Sequence, residues 1–111
     1  MEVSPLLDDF IVAAAGKRDP RVLLVPTASG DAADYIARFH RTVGRRARCT
    51  HVELFRRIEA DLRAFVLAHD VIYVGGGNTA NMLAVWRVHG FDAILREAYE
   101  AGKVLDRKSV V

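Results

Sequence analysis

The order of hydrophobic patterns along the 111-residue chain predicts an α/β fold, a parallel sheet with helices on both faces. Residues 21–26, RVLLVP, form an apolar run of strand length, which is typical of a strand that is buried on both faces. Three further strand-like runs follow, and a helical pattern separates each run from the next. Because parallel neighbours need crossover helices between them, this alternation favours a parallel sheet.

The chain opens on a predicted helix. Ser4 and Pro5 suit a helix start, because a hydroxyl can cap the first turn and a proline there loses no hydrogen bond. Apolar residues then recur at helical spacing: Leu6, Leu7, Phe10, Ile11 and Ala14. Gly16 closes this helix, and residues 21–26 form the first strand.

A second helix and a second strand follow. Residues 27–31 are expected to form a loop whose small polar side chains cap the helix. Three apolar residues share one face of that helix: Ile36, Phe39 and Val43. Gly44 ends it, and residues 50–55 have the character of a short strand.

The third strand is the most clearly marked of the sheet. A helix comes before it, ends near His69 and carries Ile58, Leu62, Phe65 and Val66. Val71–Val74 is β-branched and aromatic, as buried strands are. Asn78 then caps a fourth helix, whose core residues are Met82, Leu83 and Trp86.

A fifth helix and a fourth strand complete the chain. The helix carries Phe91, Ile94, Leu95 and Ala98, and Gly102 stops it before a strand at residues 103–105. Residues 1–111 therefore form a single partial domain. Its first helix has no strand before it and its last strand has no helix after it, so we expect a fold that is incomplete at both ends, with open sheet edges. A non-catalytic module that docks through such an edge is one alternative function.

Composition excludes several classes of function. A formal net charge of +2 gives no reason to expect nucleic acid as a partner. No apolar run approaches the roughly 20 residues that cross a bilayer, so no membrane association is expected. The single cysteine, Cys49, excludes an internal disulfide and fits a reducing compartment. The acidic start MEVSPLLDDF does not resemble a secretion signal, and a cytoplasmic location is therefore expected.

The segment 71–81, VIYVGGGNTAN, carries the strongest functional signal. Three consecutive glycines at the end of a strand allow a sharp turn whose N–H groups no side chain covers. Three interpretations are open: an oxyanion-binding turn, an anion nest, or a tight turn that needs glycine only for its dihedral angles. A nucleotide site is disfavoured because GGGNT lacks both the G-x-G-x-x-G spacing and the Walker lysine.

Four segments together resemble one family: PLLDDFI, VPTASGDAADYIARF, LFRR and DVIYVGGGNTANMLAVWRVHG. They are similar to the peptidase E (aspartyl dipeptidase) and cyanophycinase family over nearly the whole chain, to about Leu105. The resemblance implies a class I glutamine amidotransferase-like, three-layer fold of about twice this length. It also implies a serine hydrolase with a Ser-His-Asp/Glu triad that needs neither a metal nor a cofactor, and peptide substrates with an N-terminal aspartate. A homo-oligomer is left open.

Site residues follow from the same resemblance. It assigns Gly76, Gly77 and Asn78 to oxyanion and substrate binding, through backbone N–H groups that face the scissile carbonyl. The family's nucleophile follows the strand after the glycine-rich helix pair, in a G-x-S-A-G turn, and the spacing places Ser109 at that position. This chain departs from the pattern there: Ser109 has no flanking glycine, and Val110 stands where the family has alanine. The catalytic acid and histidine have no counterparts here. We therefore expect a truncated or frame-shifted product that is inactive as a peptidase.

Other polar residues have simpler structural interpretations. The four histidines (His40, His51, His69 and His89) show no metal-ligand spacing and are expected at the surface or at helix ends. Ser29 and Asp31 could contact substrate, although loop capping accounts for them more simply. The basic cluster around Arg45 is expected to be a solvated face. Trp86 is expected in the core.

Overall fold

The computed structural model of the chain describes residues 20–45, 47–56 and 61–107. Four parallel strands form one sheet in the order β2-β1-β3-β4: β1 (Arg21–Val25), β2 (Arg48–His51), β3 (Val71–Val74) and β4 (Val104–Arg107). The predicted fold class, a parallel sheet flanked by helices, is therefore confirmed. The predicted opening helix and Ser109 lie outside the described residues.

Four helices cover the two faces of this sheet: α1 (Ala33–Thr42), α2 (Leu62–Leu67), α3 (Thr79–His89) and α4 (Phe91–Glu100). The connection from β1 to β2 moves in one direction across the sheet, and the later connections move in the other. Because crossovers are right-handed, α1 must lie on one face, and α2, α3 and α4 on the opposite face. The packing shows this division.

The central strand β1 supplies core residues to both faces. Val22 and Leu24 pack beneath α1, whereas Leu23 and Val25 point to the other three helices. All four side chains have an exposed fraction of 0%. The apolar run that predicted a doubly covered strand is thereby explained, since successive side chains of a strand alternate between its faces.

The second strand was predicted at residues 50–55, and this is wrong in both bounds. β2 begins at Arg48 and ends at His51. Beyond it, Val52 and Leu54 are buried while Phe55 is 53% exposed. These loop residues fold over the end of the sheet with the same alternating burial as a strand, which is why their pattern was mistaken for one.

Helix bounds differ from expectation in two places. Asp61 caps α2 by accepting the Ala64 N–H at 3.1 Å, so the helix starts at Leu62; Ile58 lies outside the described residues. Gly44 does not end α1, which stops at Thr42 and continues as a 3₁₀ turn. The predicted face of α1 is confirmed, with Ile36, Phe39 and Val43 all buried.

The fourth and fifth predicted helices are confirmed as α3 and α4. Met82 and Trp86 are buried as expected, but Leu83 is 39% exposed and is not a core residue. Gly90, in the left-handed conformation, joins the two helices. Within the described ranges, no helix is long and apolar enough to cross a membrane.

Candidate functional site

The carboxyl ends of β1 and β3 meet where the direction of strand addition reverses. From β1 the chain crosses to β2 on one side, whereas from β3 it crosses to β4 on the other. Such a reversal leaves a crevice at the carboxyl edge of a parallel sheet, where α/β proteins bind ligands. Two turns lie there: a 3₁₀ turn, Thr27–Ser29, and the glycine turn of Gly75, Gly76 and Gly77.

The glycine turn packs directly on the turn that follows β1. The Gly75 N–H donates to the Val25 carbonyl at 3.0 Å, which extends the ladder between β1 and β3. The Asn78 N–H donates to the Ala28 carbonyl at 2.7 Å. Gly77 has a φ of +147°, and a Cβ there would lie 2.1 Å from the Ala28 oxygen. Only glycine fits at Gly77, because the backbones touch and L residues rarely adopt this φ.

The four N–H groups of this segment face different surroundings. Those of Gly75 and Asn78 are bonded to carbonyls of the β1 side. Gly76 is buried, and the phenolic oxygen of Tyr35 lies against the preceding residue, Gly75. Gly77 is exposed, and its N–H has no hydrogen-bond acceptor among the residues that the structure describes. The Gly76 N–H likewise has no hydrogen-bond acceptor among the described residues, but Gly76 is buried, so Gly77 is the exposed donor of the turn.

Asn78 acts as a helix cap. Its Oδ1 accepts the Asn81 N–H at 3.0 Å at the start of α3, as predicted. The sequence left open whether Asn78 caps the helix or contacts substrate. Its side-chain oxygen is engaged in capping, while the residue itself is exposed beside Gly77.

A buried hydrogen bond joins the turn after β1 to α3, and sequence reasoning missed it. The indole Nε1 of Trp86 donates to the Thr27 hydroxyl at 3.1 Å. Both side chains are buried, Thr27 at 0% exposed. A tryptophan in a core needs a hydrogen-bond acceptor for its indole N–H. The threonine just after the buried strand β1 was therefore the sequence feature from which this bond could have been predicted.

The loop after β1 does not cap α1 as expected. Ala32 is the N-cap residue, and no side chain bonds to that helix end. Asp31 instead accepts the Phe55 N–H at 3.0 Å and so ties the loop after β2 to the crevice. Burial raises the pKa of Asp31, and the nearby Glu53 adds to this rise, while the Phe55 N–H opposes it. The Ser29 hydroxyl donates to the Pro26 carbonyl at 2.8 Å.

The strand that precedes the predicted nucleophile lies beside the glycine turn. In the register of β3 and β4, Arg107 is the partner of Val74, the residue just before Gly75. Ser109, two residues after Arg107 in sequence, lies outside the described residues. Its role as a nucleophile, and the oxyanion and substrate roles of Gly76, Gly77 and Asn78, stay predictions.

The histidines bond away from the glycine turn. His40 and His51 form a pair with their nitrogens 3.0 Å apart, and His89 Nε2 donates to the Leu54 carbonyl at 2.6 Å. His69 lies at a helix end as predicted, but it is buried rather than exposed, at 4%. Its Nδ1 donates to the Phe65 carbonyl at 2.8 Å, and its Nε2 contacts the Thr50 hydroxyl. Residues 20–45, 47–56 and 61–107 hold no cluster of three ligands suited to a metal ion.

An apolar cavity of about 450 Å³ adjoins the glycine turn on the β4 side. Val74 and Thr79, on either side of the turn, form one end of its lining. The other lining residues are apolar: Met82, Leu83, Trp86, Leu95 and Leu105. Space for an apolar group is thus available next to the candidate oxyanion site.

Sequence comparison decides the family. Residues 2–106 match the profile of peptidase family S51. The chain belongs to peptidase family S51. The matched segment contains both turns of the crevice, and the family assignment confirms the expected resemblance at the level of a peptidase.

Two proteins to which the chain is similar are each about twice its length. It is 45% identical over 101 residues to the uncharacterized peptidase YgaJ of Bacillus subtilis (strain 168). This match covers 89% of the chain and 44% of YgaJ. A crystal structure of a candidate peptidase E from Listeria monocytogenes EGD-e has the same fold, with a TM-score of 0.74 at 20% identity. That match covers 92% of the chain and 52% of the Listeria protein, so the chain spans about half the length of each.

Proposed function

We propose that this chain carries the oxyanion-binding part of a serine peptidase that removes N-terminal aspartate from Asp-Xaa dipeptides. The observation that supports this proposal most is the glycine turn. It lies at the switch point of the sheet, it admits only glycine at Gly77, and it leaves the Gly77 N–H open. Because the chain belongs to a peptidase family, we infer that this N–H group takes part in the hydrolysis of a peptide bond.

The chemical role of the turn follows from the negative charge that develops on the substrate during the reaction. When a nucleophile attacks a peptide carbonyl, the carbonyl oxygen becomes negative, and a fixed N–H donor stabilises it more than it stabilises the neutral substrate. Gly77 would make this contact. The backbone bond from Asn78 to Ala28 anchors the following peptide unit, which limits how far the turn would have to move during the reaction.

The chain by itself is proposed to be inactive. Its described residues place no histidine against the turn, and a nucleophilic serine without a base loses about 10²–10⁴ in rate. Ser109 also lacks the small neighbours of a nucleophile elbow. We further propose a cytoplasmic location, which the presence of a single cysteine, Cys49, supports because the chain can form no internal disulfide.

A graft tests the proposal. The matching segment of this chain replaces the corresponding 101 residues of YgaJ, and aspartate release from Asp-Leu is compared with release of the first residue from Ala-Leu and Glu-Leu. Both unmodified YgaJ and the 111-residue chain alone are measured as controls. We expect hydrolysis of Asp-Leu by the graft, weaker activity on the other two dipeptides, and none by the chain alone.

Two results would contradict the proposal in different ways. An inactive but folded graft beside an active YgaJ would show that this chain's turn does not support catalysis. An active graft without preference for Asp-Leu would show a peptidase of different specificity.

An anion-binding module is the alternative, and the geometry favours it less. The Asn78 side chain already occupies the N-terminus of α3, and the Asn78 N–H is bonded to Ala28. A phosphate there would find one exposed N–H without an acceptor among the described residues, that of Gly77, whereas anion nests present several. Isothermal titration with inorganic phosphate and ATP is expected to show no binding, and saturable heat would support this alternative.

A further inference from the structure

A buried hydroxyl lies directly beneath the glycine turn. Tyr35, in the first turn of α1, is 8% exposed, and its phenolic oxygen is fully buried. No described residue makes a well-formed hydrogen bond to that oxygen. A buried hydroxyl without a partner is costly, which makes this oxygen a candidate acceptor for a nearby N–H group.

The surroundings of that oxygen are the backbone of the glycine turn. A Cβ on Gly75 would lie 2.9 Å from the Tyr35 hydroxyl and 3.1 Å from the ring carbon that bears it. Tyr35 thus occupies the space that a side chain at residue 75 would need. Burial raises the pKa of the Tyr35 phenol, and the Tyr73 side chain and the Gly76 N–H oppose that rise because both face the oxygen.

The two candidate donors of the turn are therefore not equivalent. Gly76 is buried on the side of Tyr35, while Gly77 is exposed at the carboxyl edge of the sheet. The hydroxyl already lies against the backbone of the turn at Gly75, so a small displacement of the Tyr35 side chain would suffice to bring it to the neighbouring Gly76 N–H.

We propose that Tyr35 is a positioning residue of the oxyanion-binding turn. Its hydroxyl accepts the Gly76 N–H on the inner side of the turn and thereby fixes the next peptide unit, so that the Gly77 N–H points into the crevice. This inference rests on the proposed function for its catalytic consequence, but the hydrogen bond itself is independent of any activity.

The hydrogen bond is tested on the 111-residue chain by NMR. Tyr35→Phe removes only the hydroxyl, and Tyr99→Phe is the matched control because Tyr99 is 67% exposed. We expect Tyr35→Phe to shift the Gly76 amide and to speed its exchange with solvent, with a smaller change at Gly77 and none at Gly102. Unchanged Gly76 exchange in Tyr35→Phe would overturn the proposal.

A second variant keeps the test decisive if Tyr35→Phe lowers stability. Gly75→Ala drives a methyl group against the phenolic oxygen and is expected to disturb the turn. Adding Tyr35→Phe removes the closest contact, so the double variant should recover part of the lost stability. Additive losses would show that the two residues do not act on one another, and would count against the proposal.

The kinetic constants of the graft distinguish a positioning role of Tyr35 from a purely structural one. In the graft, Tyr35→Phe is expected to lower kcat by roughly tenfold or more while KM for Asp-Leu stays within about twofold, as for a misdirected catalytic group. Equal kcat for Tyr35→Phe and the parent graft would refute the positioning role and leave the proposed function standing. A folded parent graft without activity, beside an active YgaJ, would instead refute the proposed function and leave the amide measurements to decide the role of Tyr35.

Discussion

Gly77→Ala is the substitution that examines the glycine turn most closely. Gly77 combines a φ of +147° with a missing Cβ that would lie 2.1 Å from the Ala28 oxygen. That oxygen is fixed, because it accepts the Asn78 N–H at 2.7 Å. Gly102 offers a matched control: its φ is +87°, and a Cβ there would meet no atom within 4 Å.

The size of the effect follows from two contributions. A non-glycine residue in a rare positive-φ conformation costs about 1–3 kcal/mol. Forcing a methyl group into a packed site adds about 1–3 kcal/mol, so the free energy of unfolding should fall by roughly 2–6 kcal/mol for Gly77→Ala. Gly102→Ala bears only the backbone penalty, about 1–2 kcal/mol.

Urea denaturation followed by tryptophan fluorescence measures both variants. Trp86 is the single tryptophan of the chain and is bonded to Thr27, next to Ala28, so its emission reports on this part of the fold. We expect the midpoint for Gly77→Ala to fall well below that for Gly102→Ala. Equal midpoints would refute the close packing of the glycine turn on the turn after β1.

Three further predictions concern the surroundings of the site. Thr27→Val leaves the buried Trp86 N–H without its acceptor and should lower the free energy of unfolding by about 1–3 kcal/mol in thermal denaturation, more than Thr42→Val does. Burial lowers the pKa of the His69 imidazole below its value in the unfolded chain, so the unfolded state binds protons more readily. The neutral histidine therefore leaves the free energy of unfolding unaffected above about pH 6.5, and this free energy should decrease as the pH falls below that value. His69→Gln should make the urea midpoint less dependent on pH between 7.5 and 5.5, and an unchanged dependence would contradict this assignment. Burial raises the pKa of the Asp31 carboxyl group, and the backbone φ of +56° at residue 31 also suits asparagine. Asp31→Asn should therefore retain or increase the thermal midpoint at pH 7, and a clear decrease of the midpoint would contradict this prediction.

Local patterns predicted most of the fold. Val71–Val74 was predicted with its observed bounds, because a β-branched run that ends in three glycines has few alternatives. Asn78 as a helix cap followed from its place just before a helical pattern. The bounds of β2 were wrong because Val52 and Leu54 alternate in burial without belonging to a strand, and only the shape of the sheet's end distinguishes the two cases.

The site was predicted less fully than the fold, for a physical reason. The sequence indicates that the glycine turn exposes N–H groups, but which ones face the crevice depends on contacts between residues far apart in the chain. Tyr35 and Ala28 determine the surroundings of Gly76 and Gly77 respectively. The buried state of His69 likewise depends on Thr50 and Phe65, which the spacing of histidines along the chain does not reveal.

The central claim is that the Gly77 N–H stabilises the oxyanion, and an adduct with a transition-state analogue tests it most directly. The graft, labelled with 15N at glycine, is treated with an aspartyl phosphonate that forms a tetrahedral adduct with the active serine, and the glycine amides are followed by NMR. The account predicts a downfield shift of the Gly77 amide proton, a smaller change at Gly76 and none at Gly102. An adduct that leaves Gly77 unchanged while another amide shifts would contradict it.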